Sequence, residues 1–193
     1  MHTIKKVFFI TSLFFIAGCS TPPQTYYLDA TNGNDTNSGL SADNAWKTLE
    51  RVKKTSLQKG DKILLKRGEV FNGILDITGK GTYTHPIIID AYGEGNQKPC
   101  IAGNDTSMYA VRIFNSDYFT IQNLEISNTG KERKAGRTGL KVECTNYGIS
   151  HNIRINNLTI RDVNGSLVKE EGGGSGILIV NGGDSIRSRF DSL

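Results

Sequence analysis

Three side chains could carry chemistry on one face of a repeated strand. The segments Ala110-Val111-Arg112-Ile113, Gly139-Leu140-Lys141-Val142 and Gly176-Ile177-Leu178-Ile179 align with one another. Side chains alternate across a strand. If Val111, Leu140 and Ile177 point inward, then Arg112, Lys141 and Leu178 point outward in a stack. Glu143 falls two residues beyond Lys141, on the same face. Taking a proton from the carbon beside a carboxylate needs a base, and a cation to neutralise that carboxylate. Arg112, Lys141 and Glu143 are the right types for such a catalytic set. Because Leu178 interrupts the stack, the plainer reading is a solvated strand face with cross-strand ion pairs.

The other candidates have less to offer. Glu170, Glu171 and Asp184 could supply the two carboxylates that glycoside hydrolysis needs at a fixed separation. Glu170 and Glu171 are adjacent, however, and on an extended chain would point apart, which reads as a charged loop. Asn32, Asn34, Asp35 and Asn37 with Gly39 offer the close-spaced oxygens that suit Ca²⁺. No Glu closes that loop at the needed distance, so an Asx-rich turn is expected and no metal site is assigned. Tyr83, Tyr92, Tyr109, Tyr118 and Tyr147 could stack on sugar rings, although each alone reads as a packing residue with a wet hydroxyl. The glycines from Gly172 to Gly176 precede no Lys-Ser or Lys-Thr, which excludes a phosphate-cradling loop. Beyond residue 19 only His85, His151, Cys100 and Cys144 remain, poor material for a zinc site or a Ser-His-Asp triad. The two cysteines could pair in an oxidising compartment, but a pair of small buried hydrophobes is the simpler expectation.

Repetition is what would position these residues. Ile121-Gln122-Asn123-Leu124-Glu125-Ile126 returns as Ile155-Asn156-Asn157-Leu158-Thr159-Ile160, and begins again as Phe190-Asp191-Ser192-Leu193. The spacing is 34 residues from Asn123 to Asn157 and 35 from Asn157 to Ser192. Such a period means stacked units that bury their apolar faces against each other. Phe119, Ile121, Leu124 and Ile126 should face inward. Asn123 should occupy the bend between them, since Asn tolerates left-handed backbone, and its amide could pair with that of Asn157. Ser192 would break that ladder. Polar insertions, Lys131 to Gly136 and Lys169 to Gly174, should project as loops on one side of the stack.

Residues 26–59 differ from the rest of the chain and read as an N-terminal cap. Tyr26-Tyr27-Leu28-Asp29 suggests a strand and Asn32 to Leu40 a tight loop. Ala45 to Val52 suggests a helix capped by Ser41 or Asn44, with Trp46, Leu49 and Val52 as its apolar stripe. Residues 60–193 alternate with period two in short β runs: Ile63 to Leu65, Gly73 to Ile77 and Pro86 to Ala91. The chain stops inside a strand phrase, which suggests the N-terminal piece of a longer protein, with an incomplete C-terminal end.

Residues 1–19 read as a targeting segment. Lys5 and Lys6 precede an apolar run from Val7 to Ala17, too short for a comfortable membrane span. Ile16-Ala17-Gly18-Cys19 followed by Ser20 resembles the lipobox of bacterial lipoproteins, which implies lipidation of Cys19, membrane attachment through that lipid and an outer-membrane location. Residues 20–25 then form a tether. Removing Lys5 and Lys6 from the 23 basic residues leaves 21 against 19 acidic ones. That balance gives no case for a nucleic-acid partner.

The run from Tyr26-Tyr27-Leu28 through Gly33-Asn34-Asp35 and Asn37 to Ala45-Trp46-Lys47-Thr48-Leu49 resembles the opening of many bacterial right-handed parallel β-helix proteins. Gly60-Asp61-Lys62-Ile63-Leu64-Leu65-Lys66-Arg67-Gly68 and Pro86-Ile87-Ile88-Ile89-Asp90-Ala91-Tyr92-Gly93 extend the likeness, which is to the pectate-lyase-like superfamily. It implies an all-β fold, a right-handed parallel β-helix (solenoid) with an N-terminal capping helix. It also implies a groove on one sheet, in which Lys or Arg with bound Ca²⁺ commonly acts, and catalytic residues in middle coils. Members cleave or epimerise acidic polysaccharides, hydrolyse glycosides, or serve as surface proteins without activity. The expectation is an envelope-anchored protein acting on an acidic polysaccharide by lyase, glycoside hydrolase or uronate epimerase chemistry. The alternatives are a non-catalytic glycan-binding or adhesin-like solenoid, and a cap whose partner coils hold all function.

Overall fold

Aliphatic residues at alternate positions make the strands of this chain, and repetition decides which strands meet. The computed structural model describes residues 22–105, 107–183 and 187–193. The expected signal segment with Cys19, the first two residues of the tether, and Asp184 lie outside the described residues. In chain order, β1 (Thr25–Leu28) is followed by a 3-10 turn (Ala42–Asn44) and α1 (Leu49–Lys53). The first full passage is β2 (Lys62–Lys66), β3 (Val70–Asn72) and β4 (Leu75–Ile77), and the second is β5 (Ile87–Tyr92), β6 (Cys100–Ala102) and β7 (Tyr109–Phe114). The third comprises β8 (Phe119–Gln122), β9 (Glu125–Asn128), β10 (Thr138–Thr145) and β11 (Ile149–His151). The fourth comprises β12 (Ile153–Asn156), β13 (Thr159–Val163), β14 (Ser175–Gly182) and β15 (Arg189–Asp191).

Each passage gives one strand to each of three sheets, in the same order. The sheets run β1-β2-β5-β8-β12, β3-β6-β9-β13 and β4-β7-β10-β14, with β11 and β15 forming a small fourth. All these pairings are parallel. Register places like on like. Ile63, Ile89, Ile121 and Ile155 form one rung. Leu75, Val111, Leu140 and Ile177 form another. Phe71, Ile101, Ile126 and Ile160 form a third. Burying a side chain of this size contributes about 1.5–3 kcal/mol, so these rungs dominate the stability. Ile177 keeps the expected register but is 44% exposed, because no strand pairs beyond β14 among the described residues.

Two expectations at the cap need correction. No helix spans 45–52. Trp46 instead pairs with Leu28 as an extended residue, and the chain turns helical only at Leu49. The Asp35 carboxylate imposes this by accepting the N–H groups of Lys47 and Thr48 and the Thr48 hydroxyl, at 2.7–2.9 Å. Ser41 caps the 3-10 turn rather than α1, and Thr48 is the α1 N-cap residue without a side-chain cap. The stripe of Trp46, Leu49 and Val52 is nonetheless buried. The Trp46 indole stacks on Tyr26 at 4.8 Å and donates to the Asn37 carbonyl at 3.0 Å. Gly39, at φ +76°, must stay a glycine, because a Cβ there would meet that indole at 2.4 Å.

Two of the three bend residues behave as the repeats suggest, whereas Ser192 falls beside Asn152 rather than Asn157, because Arg189–Asp191 pairs with Ile149–His151. Asn123 and Asn157 are left-handed, at φ +59° and +47°, and the Asn157 amide donates to Asn123 Oδ1 at 2.8 Å. Phe119, Ile121, Leu124 and Ile126 are fully buried. The two insertions lie against each other between the second and third sheets, joined by Gly136 N–H to the Gly173 carbonyl at 2.8 Å. Cys100 and Cys144 are free and buried.

Candidate functional site

The sheet of β4, β7, β10 and β14 turns one row of side chains outward. Its register sets Asp76 beside Arg112 and Arg112 beside Lys141, and Leu178 ends the row. Arg112 grips Asp76 with both ends of its fork, Nε to Oδ1 at 2.9 Å and Nη2 to Oδ2 at 2.7 Å. Its third nitrogen lies 3.7 Å from Glu143 Oε2, which Lys141 Nζ approaches to 2.8 Å. The rings of Tyr109 and Phe114 sit 5.0 and 4.8 Å from the guanidinium carbon. The expected trio of Arg112, Lys141 and Glu143 is thus brought together, and Asp76 joins it.

The electrostatics follow from this packing. All four side chains are three-quarters or more buried. The bidentate bond to Asp76 raises the Arg112 pKa beyond its ordinary value, more than burial lowers it. Burial, helped by the Asp76 charge, pushes the Tyr109 phenol up. Glu143 Oε2 is buried and accepts no hydrogen bond. The contact with Lys141 is therefore an ion pair of close approach but poor hydrogen-bond angle. Each cation of the row faces a carboxylate, so the row carries no net charge, and one carboxylate oxygen keeps unused acceptor capacity.

The surroundings make this row a groove. A cleft of 340 Å³ separates it from the end of α1, lined by Val52, Lys53, Thr55, Ser56, Thr78 and the Asp76–Arg112 pair. A separate cleft of 420 Å³, lined by Thr129, Arg133, Asp162, Val163 and Asn164, lies beside the first insertion and touches no residue of the row. Arg137, 1% exposed, holds the first insertion by donating to the carbonyls of Asp105, Ser107 and Glu132.

The remaining candidates stay apart from the row. Glu170 and Glu171 sit on an exposed 3-10 turn (Lys169–Glu171), where Glu171 accepts from Ser166 at 2.7 Å. The Asn32–Gly39 loop does not fit Ca²⁺. The Asp35 oxygens are taken by three donors and Asn34 Oδ1 by Thr36, and no group of three or more His, Cys, Asp or Glu among the described residues could hold a metal. Tyr83 is exposed, whereas Tyr92 packs edge-on against Tyr27 at 5.1 Å. Sequence reasoning missed Asp76 and a contact of Asp117 with His151. Coil arithmetic was the available signal, since Asp76 precedes Arg112 by 36 residues and Asp117 precedes His151 by 34.

Fold and site together define a class: an all-parallel β chain, wound through the same sheets in repeated passages, presenting a polar groove on one of them. No protein-family model matches the chain. Known proteins narrow the class. The chain is 29% identical over 206 residues to a lacto-N-biosidase of Bifidobacterium longum, an alignment covering 79% of this chain and 13% of that protein. It also superposes on the crystal structure of the GH136 lacto-N-biosidase from Eubacterium ramulus, with a TM-score of 0.72 and 32% identity over 82% of this chain. The selenomethionine form of that enzyme gives a TM-score of 0.71 and 30% identity over 86% of this chain. This chain spans 30–32% of the length of those solved chains.

Proposed function

We propose that this chain belongs to a right-handed parallel β-helix glycoside hydrolase, and that its outward row contacts a glycan. The observation that carries the reading is the similarity to lacto-N-biosidases along about four-fifths of the chain. It favours hydrolysis over the lyase and epimerase chemistries that the fold also serves. The row supports the same choice. A lyase needs a cation free to neutralise a uronate, whereas Arg112 and Lys141 are both engaged by carboxylates. A charge-balanced groove suits the hydroxyls of an uncharged glycan better than an acidic polysaccharide. Within it, Glu143 is the candidate base, being the one carboxylate of the row that the bidentate grip of Arg112 leaves out. Arg112 and Lys141 fix its carboxylate from two sides. Lipidation at Cys19, with an outer-membrane location, is part of the same proposal and rests on Ile16-Ala17-Gly18-Cys19.

The test is to incubate the protein with oligosaccharides ending in lacto-N-biose, and separately with pectin and alginate, while following reducing ends and unsaturated uronate. New reducing ends from the first group are expected, without unsaturated products. Glu143→Gln should slow release by about a hundredfold or more if Glu143 moves the proton. Unsaturated products from pectin or alginate would overturn the hydrolase reading. Binding without turnover would leave a glycan-binding solenoid in its place.

A further inference from the structure

A second cluster stands at the opposite edge of the same sheet, where the chain leaves β7 and β10. Its hub is Asp117. The carboxylate accepts the Tyr147 hydroxyl at 2.5 Å, and the His151 backbone N–H at 2.9 Å. His151 Nδ1 lies 3.1 Å from the same carboxylate. The Asp117 backbone pairs with Lys80, whose ammonium sits 4.8 Å over the Tyr147 ring. Tyr118 stacks on the His151 ring, 5.9 Å between centres and 7° from parallel. Lys80, Asp117 and the 147–151 segment thus come from three neighbouring passages of the chain.

One feature of this corner exceeds what packing requires. The carboxylate is fully used inside the protein, yet the groups it orients are not. His151 Nε2 makes no hydrogen bond among the described residues, and Lys80 has no carboxylate partner there. A carboxylate on one imidazole nitrogen fixes the ring and leaves the other nitrogen aimed and available. Tyr118 is held at φ +49°, a left-handed conformation that is unusual for a bulky side chain. The same bend recurs in the next passages at Asn152, φ +54°, and Ser192, φ +64°, so this conformation belongs to the repeat and fixes where the Tyr118 ring sits.

We propose that the Asp117 corner is a saccharide-contact site, where His151 Nε2 and Lys80 Nζ hydrogen-bond ring hydroxyls between the walls of Tyr118 and Tyr147. This rests on the glycan reading given above and extends it. Tyr147 follows Glu143 by four residues, at most about 13 Å of chain, so an oligosaccharide lying on the row reaches the corner.

The experiment is a titration of the intact chain followed by NMR of side-chain nitrogens, with lacto-N-biose as a neutral probe and digalacturonate as an acidic one. The chain has 3 histidines, so the His151 ring is assigned by difference from His151→Phe. A saturable shift at His151 is expected with at least one probe. Lys80→Met, at an exposed position, should weaken that probe about tenfold or more, the worth of one hydrogen bond from a charged donor. A stronger response to lacto-N-biose is expected, and a stronger response to digalacturonate would overturn the assignment of Lys80 to a hydroxyl. If a probe moves the Arg112 Nε resonance while His151 stays still, the corner is overturned and the glycan reading stands. If neither probe moves either resonance, both fall.

Discussion

Asp29 shows how much one carboxylate can hold. It is 5% exposed and accepts the N–H groups of Thr31 and Asn32, with Lys66 Nζ at 2.6 Å. Burial pushes its pKa up. The Asn32 N–H and the Lys66 ammonium push it down further, to about 2. The folded value therefore lies below the unfolded one. The resulting stability is complete above about pH 4 and fades as pH falls toward 2. Asp29→Asn should cost roughly 1–2 kcal/mol at pH 7 and flatten the acid limb between those values. Urea unfolding of both proteins across pH 2–7 checks this; parallel acid limbs would refute it. At this scale the sequence showed residue types without their partners. Arg112, Lys141 and Glu143 were legible because they sit in aligned repeats. Asp76 was not, because the run from Gly73 to Ile77 is too short to align, and Gly73, at φ +120°, removes its first residues from the strand.

Among the elements, the bend between the first two sheets carries the most information. Asn123 donates to Asp90 Oδ1 at 2.7 Å and receives the Asn157 amide at 2.8 Å, so three successive passages are stitched at one corner. Ser192, at φ +64°, lies instead beside Asn152, at φ +54°, one bend earlier in the passage. Asn123→Ala loses both bonds and sets an alanine in left-handed backbone, a combined cost of about 2–3 kcal/mol. Asn123→Gly restores the backbone and loses only the bonds, at about 1 kcal/mol. Thermal or chemical denaturation should rank them in that order, and an alanine variant as stable as the glycine one would mean that bend geometry contributes nothing. Repeats made these corners readable from sequence. The three-residue strands β3, β6 and β11 were not, since so short a run has no period to detect and pairs only because longer neighbours set its register. The helix expected over 45–52 failed for a related reason: apolar spacing of three fits both a helix and an extended segment closing a core, and the Asp35 carboxylate selects the second.

Seen whole, the stack is finished at one end and open at the other. Trp46, Leu49 and Val52 close the first rungs under the cap and are at most 2% exposed. At the far end β12, β13 and β14 are the outermost strands of their sheets, and Ile177, Ile179 and Leu193 are 41–60% exposed. An outermost strand offers unpaired N–H and C=O groups to any strand that arrives, and an apolar rung beside them adds a hydrophobic incentive. In isolation this chain should therefore self-associate with rising concentration through the β14 end. Ile177→Lys places a charge on that rung, where a half-exposed side chain gives up under about 1 kcal/mol of burial. It should suppress association without lowering the unfolding midpoint by more than a few degrees. Sedimentation velocity over a wide concentration range separates the cases. If wild type and variant associate equally, the contact lies elsewhere, because a lysine facing a stacked rung must either be desolvated or keep the second chain away.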